Sequence, residues 1–132
     1  VATEPTRSIE EIIAEDGRYS LEAVQFLREG LDFTVTKLHP DITDESGRRH
    51  VSGAQLCEGL RQLALEHWGL LATSVLARWH VHSTRDFGEI VFLLIEHDYL
   101  QKQPEDCIED FDNIYDFGQA FSHDFEASWD KD

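Results

Sequence analysis

Residues 90–95 read Ile-Val-Phe-Leu-Leu-Ile, the longest unbroken apolar run in the chain, flanked by Asp86 and Glu89 before it and Glu96 and Asp98 after it. Such a run is stable only out of water, so the remaining elements must be arranged to cover it. Its length permits a buried strand, but three features favour a helix. Ser83 and Asp86 stand at capping spacing just before it. The pattern continues from Thr84 to His97. Phe87, Ile90, Val91, Leu94 and Ile95 fall on one helical face. Arg85, Glu89 and Glu96 mark a polar face that Phe92 interrupts, so this helix needs cover on more than one side. Asp86-Phe87-Gly88 copies the metal-binding tripeptide of protein kinases, yet the chain has neither a glycine-rich loop nor a catalytic-loop signature. Gly88 reads instead as a position in the first helical turn where a side chain would strike a neighbour.

Other helices are announced by their caps. Ser8 and Glu11 form a capping box before Ile9, Ile12 and Ile13, with Gly17 as the stop. Ser20 opens a longer helix whose apolar stripe is Leu21, Val24, Leu27, Leu31, Val35 and Leu38, ended by Pro40. Gly30, in its middle, would let another backbone approach. Residues 40–51 read as a loop with one basic cluster, Arg48, Arg49 and His50, better matched to nearby acids than to an anion ligand. Ser52 and Gln55 make a second capping box, followed by inward Leu56, Leu60, Leu63 and Ala64, with Gly69 at the end. Leu71, Val75, Leu76 and Trp79 predict a short helix after that.

Two stretches read as β structure. Trp79-His80-Val81-His82-Ser83 alternates as a short strand does, and 99–111 reads as a hairpin turning at Pro104. Helices, a short strand, a long helix and a hairpin follow the order of a winged-helix element. The expected fold is therefore mainly α (α+β): a helical domain with a winged-helix-like element and a small β-hairpin. One domain spans 1–132, with a helical core over 8–100, the hairpin over 99–111 and an acidic aromatic segment over 112–132.

Charge narrows the partners. There are 27 acidic and 11 basic residues, a formal net charge of −16. Such a chain repels polyanions, so direct binding to nucleic acid or to an anionic membrane face is disfavoured, and a basic protein partner fits the field. A recognition helix as apolar and acidic as 84–97 is unsuited to a phosphate-lined groove. Cys57 and Cys107 form neither a disulfide framework nor a zinc motif and read as reduced thiols. The N-terminal residues lack the apolar core of a signal peptide, no run reaches the length of a membrane span, and the absence of methionine implies residues upstream of Val1.

Candidate sites are few. His80 and His82 would share one side of a strand and, with Glu89, offer three donors to a divalent metal, but no fuller ligand motif supports them. Glu89 reads equally as the ion-pair partner of Arg85, one turn away. Glu96, His97 and Asp98 are adjacent and diverge on a helix. No cofactor motif is present, and no cofactor is expected. Phe117, Phe121, Phe125 and Trp129 recur every four residues among acids. They predict either a tail packed on the Phe92 side of the central helix or an amphipathic segment for a partner's groove.

Four segments, GRYSLEAVQFLREGL (17–31), HVSG (50–53), DFGEIVF (86–92) and DFDNIYDFGQAF (110–121), resemble a family of small uncharacterised proteins largely restricted to planctomycete and verrucomicrobial bacteria. The resemblance spans about residues 10–121. It implies a bacterial, cytoplasmic protein and brings no activity, cofactor or catalytic residue with it.

The expected role is a non-catalytic, acidic protein-interaction or regulatory module, with Phe92, Phe117, Phe121, Phe125 and Trp129 as partner-binding candidates. The alternatives are a winged-helix-like, nucleic-acid-associated regulator and a metal- or small-molecule-binding enzyme built on His80, His82 and Glu89.

Overall fold

The computed structural model describes residues 8–38 and 51–121. The cluster Arg48, Arg49 and His50, and the aromatics Phe125 and Trp129, lie outside these residues. All regular elements described are helical: α1 (Ile9–Asp16), α2 (Leu21–Leu38), α3 (Gly53–Trp68), α4 (Ala72–Arg78), α5 (Thr84–Glu96) and α6 (Phe117–Ala120), with 3-10 turns at Gly69–Leu71 and Ile108–Phe111. No helix among the described residues is long and apolar enough to cross a membrane.

The caps form as their spacing requires. Glu11 N and Gln55 N donate to Ser8 Oγ and Ser52 Oγ, each at 3.1 Å, and both boxes are reciprocal. Ser20 Oγ accepts from Ala23 N at the start of α2. At α5, Asp86 reaches back to the backbone N–H of His82 (2.7 Å) and of Ser83 (3.2 Å), placing a carboxylate on the positive end of the helix.

α2 and α3 cross closely because each offers a glycine to the other. A methyl at Gly30 would overlap the Leu60 side chain, and one at Gly59 would lie 2.9 Å from Thr34 Cβ. Thr34 is fully buried at this crossing and donates its hydroxyl to Gly30 O at 2.7 Å, so no polar atom is stranded there. α5 lies against this pair with Phe87, Ile90 and Leu94 buried. Its other side is covered by the second 3-10 turn. Phe111 sits over Gly88, where an added methyl would come within 2.8 Å of the ring. The clash expected at Gly88 is thus with Phe111. The buried hydroxyl of Thr84 locks this cover in place: it donates to Phe111 O at 2.6 Å and accepts from Ile114 N at 3.2 Å.

The β expectations are overturned, because there is no strand among the described residues. Without a hairpin there is no wing, and the winged-helix arrangement falls with it. Both stretches are helix stops. After α4, His80 takes a left-handed conformation (φ 68°), and Val81 N donates to Leu76 O at 2.9 Å. After α5, Asp98 does the same (φ 69°), and Tyr99 N donates to Leu94 O at 2.8 Å. This is the Schellman arrangement, in which the apolar residue after the left-handed one folds back on the last turn. Val81 is 1% exposed between two exposed histidines, so a tight stop reproduces the alternation of a strand. The turn at 104 is present, with Asp106 N donating to Gln103 O, but it leads into the second 3-10 turn. Leu71, expected within the short helix, ends the 3-10 turn just before α4 and is 67% exposed.

Candidate docking cavity

The apolar stripe of α2 serves two environments. Val24 and Leu27, in the first half, are fully buried, whereas Leu31 and Val35 are partly exposed and face an opening. α5 divides in the same way. Ile90 and Leu94 enter the core, while Val91, Phe92 and Ile95 turn to that opening. The residues after α5 cross in front of it. Leu56 and Phe111 form part of the wall, and Gln103, Asp106, Cys107 and Asp110 give it a polar rim. The result is a cavity of about 210 Å³ that communicates with solvent. None of the described residues lining it is Lys, Arg or His.

The rim is held by short-range bonds. Asp106 Oδ2 accepts from Gln103 N at 2.9 Å, and Asp110 accepts from Cys107 N at 3.2 Å and Cys107 Sγ at 3.4 Å. The hydrogen bond to Asp110 raises the Cys107 thiol above its ordinary pKa, with smaller contributions from desolvation and the carboxylate's charge. A thiol raised in this way is mostly protonated at neutral pH and is a poor nucleophile. Cys57, the other thiol, is buried and pushed up by desolvation. Neither cysteine has the electropositive surroundings that activate one.

Several other titratable groups are engaged in holding the fold. Glu89 accepts from Arg18 Nη1 at 2.9 Å and from Arg85 Nε at 3.2 Å, and Arg85 also bonds Asp112 at 2.9 Å. The structure therefore gives Glu89 to two arginines rather than to His80 or His82. Among the described residues, no three His, Cys, Asp or Glu groups are disposed to hold a metal ion. Tyr19 donates to Asp86 Oδ1 at 2.6 Å, and burial, then that bond, raises its pKa. A buried pair, Glu58 and Arg61, spans one turn of α3 with Nη2 to Oε2 at 2.6 Å, and Arg61 Nη1 donates to Ala120 O at 3.2 Å. Tyr115 donates to Cys57 O at 2.6 Å, and burial raises its phenol well above the usual value.

Of the aromatic candidates among the described residues, Phe92 alone lines the cavity. Phe117 and Phe121 are 6% and 4% exposed and pack with Phe87 and Tyr115 at ring separations of 5.5 to 6.3 Å. They are core residues of this chain, and they cover the start of α5 rather than Phe92. The stripe expected from 117 onward is, within the described residues, only the four-residue α6. A second aromatic group, Phe26, Trp68 and Trp79, lies beside Glu22 and Glu29, but its rings contact one another at 5.0 to 6.0 Å, leaving no gap for a cation between them.

The cavity rim was not singled out from the sequence. Its available signal is Cys107-x-x-Asp110, which resembles a cap rather than a site. Glu58-x-x-Arg61, two opposite charges one turn apart on α3, was the readable sign of the buried pair. No family model, curated protein or solved structure matches the chain.

Proposed function

We propose that this chain is a non-catalytic acidic interaction module that docks a basic protein partner at the cavity beside Phe92. The observation that carries this reading is the cavity itself: an apolar wall open to solvent, with acids and amides at its rim and no cation among its described lining residues. Open apolar surface on a small domain is costly unless something uses it. The surroundings favour binding over chemistry. The nearest thiol is held protonated by Asp110, and Glu89 of α5 is committed to two arginines. We further assign the chain to the planctomycete and verrucomicrobial family that its segments resemble, and to the cytoplasm, where both of its free thiols would stay reduced.

A photo-crosslinking residue placed at Phe92, compared with one at exposed Gln25, tests the docking face. Adducts with a second protein are expected from position 92 and not from position 25. Equal yields from both positions, or none from 92, would refute it.

A further inference from the structure

We infer that the cavity takes one apolar side chain flanked by lysine or arginine, presented by a segment of the partner protein. This rests on the docking reading above and specifies its occupant.

Size comes first. An engineered cavity of about 150 Å³ holds a benzene ring, whereas pockets for cofactors and drug-sized ligands span roughly 300–1,000 Å³. At about 210 Å³, this cavity suits one leucine- or phenylalanine-sized group and is too small for a nucleotide or flavin. Chemistry comes second. Leu31, Val35, Val91, Phe92 and Ile95 offer the occupant no hydrogen bond from their side chains, so the inserted group is apolar. Charge comes third. Asp106 and Asp110 stand at the mouth of a chain with net charge −16, so an anionic flank is repelled and a cationic one attracted. Asp110 retains acceptor capacity, because its two bonds from Cys107 use one position on each oxygen of a group with about four. Arg48 and Arg49 precede the lining residue Val51 in sequence. The test therefore includes a variant without these two cations.

The probes are acetylated peptides with a central Phe flanked by Lys on both sides, the same peptide with Glu flanks, and the Lys-flanked peptide with central Ala. Each is titrated into the isotopically labelled full chain while amide signals are followed. The Lys-Phe-Lys peptide is expected to shift the signals of Leu31, Val35, Phe92 and 100–111. The other two peptides should bind about tenfold or more weakly, because each loses either the anchor or the charge attraction of the acidic rim. Added salt should weaken the first peptide severalfold. Equal binding of the Glu-flanked peptide would overturn the charge requirement, and with it the basic partner, and leave only docking at the cavity standing. Equal binding of the Ala peptide would overturn the anchor. Cyclohexylmethylamine binding as tightly as the peptide would replace the partner with a free amine. A large gain in peptide affinity in R48S/R49S would mean that the chain's own arginines hold the rim, and would also overturn the inference. Failure of every probe, together with no crosslink from position 92, would remove both readings.

Discussion

Both halves of α5 carry apolar and acidic residues, but in opposite surroundings. In the first half, each polar group has a partner fixed by the fold. Thr84 holds the cover, Asp86 caps the helix and takes the Tyr19 hydroxyl, and Glu89 sits between two arginines. Gly88 gives up its side chain so that Phe111 can close on the backbone. In the second half, Val91, Phe92 and Ile95 present hydrocarbon to an opening. A long apolar run therefore serves two purposes. One end is sealed by this chain, and the other is kept available.

The largest expected effect lies on the sealed side. Glu58→Ala would leave the buried Arg61 guanidinium without its carboxylate and cost ~3–5 kcal/mol by chemical denaturation. A double substitution, Glu58→Met with Arg61→Leu, should recover most of that loss, because no buried charge then remains unpaired. A double variant no more stable than the single one would mean that the pair is held for its bond to Ala120 O rather than for charge balance.

Next is a direct test of the contrast within α5. Ile90→Ala, at a fully buried position, should cost ~2–5 kcal/mol, and Phe92→Ala, at a half-buried one, ~1 kcal/mol or less. The inequality is informative because phenylalanine is the larger residue and would ordinarily cost more. Equal losses would mean that Phe92 is sealed in solution and that the cavity is closed. Gly88→Ala should fall between them at ~1–3 kcal/mol, since the Phe111 ring must move to admit the methyl group.

The helices were legible because caps and periodicity are local. Ser8, Ser52 and the Asp86 cap fix starts that need no knowledge of the rest of the chain, and the stripe of α2 follows from 3.6-residue spacing. Gly88 could be read as a steric concession, though only the fold names Phe111 as the neighbour. The errors came from stops. His80 and Asp98 adopt left-handed conformations usually taken by glycine, so neither residue type signals a stop, and the apolar residue that folds back after each imitated a strand. Phe117 and Phe121 were misplaced for a different reason. A four-residue spacing of aromatics describes a face but does not say which partner covers it, and here that partner is Phe87 and Tyr115. The cavity was illegible because its wall joins α2, α5 and 100–111, which only tertiary packing brings together.

The smallest expected effect concerns the rim and uses chemistry rather than stability. The bond to Asp110 raises the Cys107 pKa, so at any pH near 8 the thiolate fraction lies below that of a free cysteine. Alkylation of the native chain by iodoacetamide should therefore be slower than that of a model thiol and should accelerate as pH rises through the raised value. Cys57 is fully buried and should react only on unfolding, so one modification per folded chain is expected, at Cys107. Asp110→Asn removes the carboxylate that opposes ionisation. It should lower the thiol pKa and speed alkylation at pH 8 severalfold, with a stability change of ~0.5 kcal/mol or less at this exposed position. The same reaction reports on the cavity, because Cys107 stands at its mouth. An occupant seated beside Phe92 should slow alkylation of Cys107 in the folded chain, and by stabilising that state it should also slow the unfolding-dependent reaction of Cys57. Protection of Cys57 without protection of Cys107 would place the partner's contact elsewhere than the open half of α5.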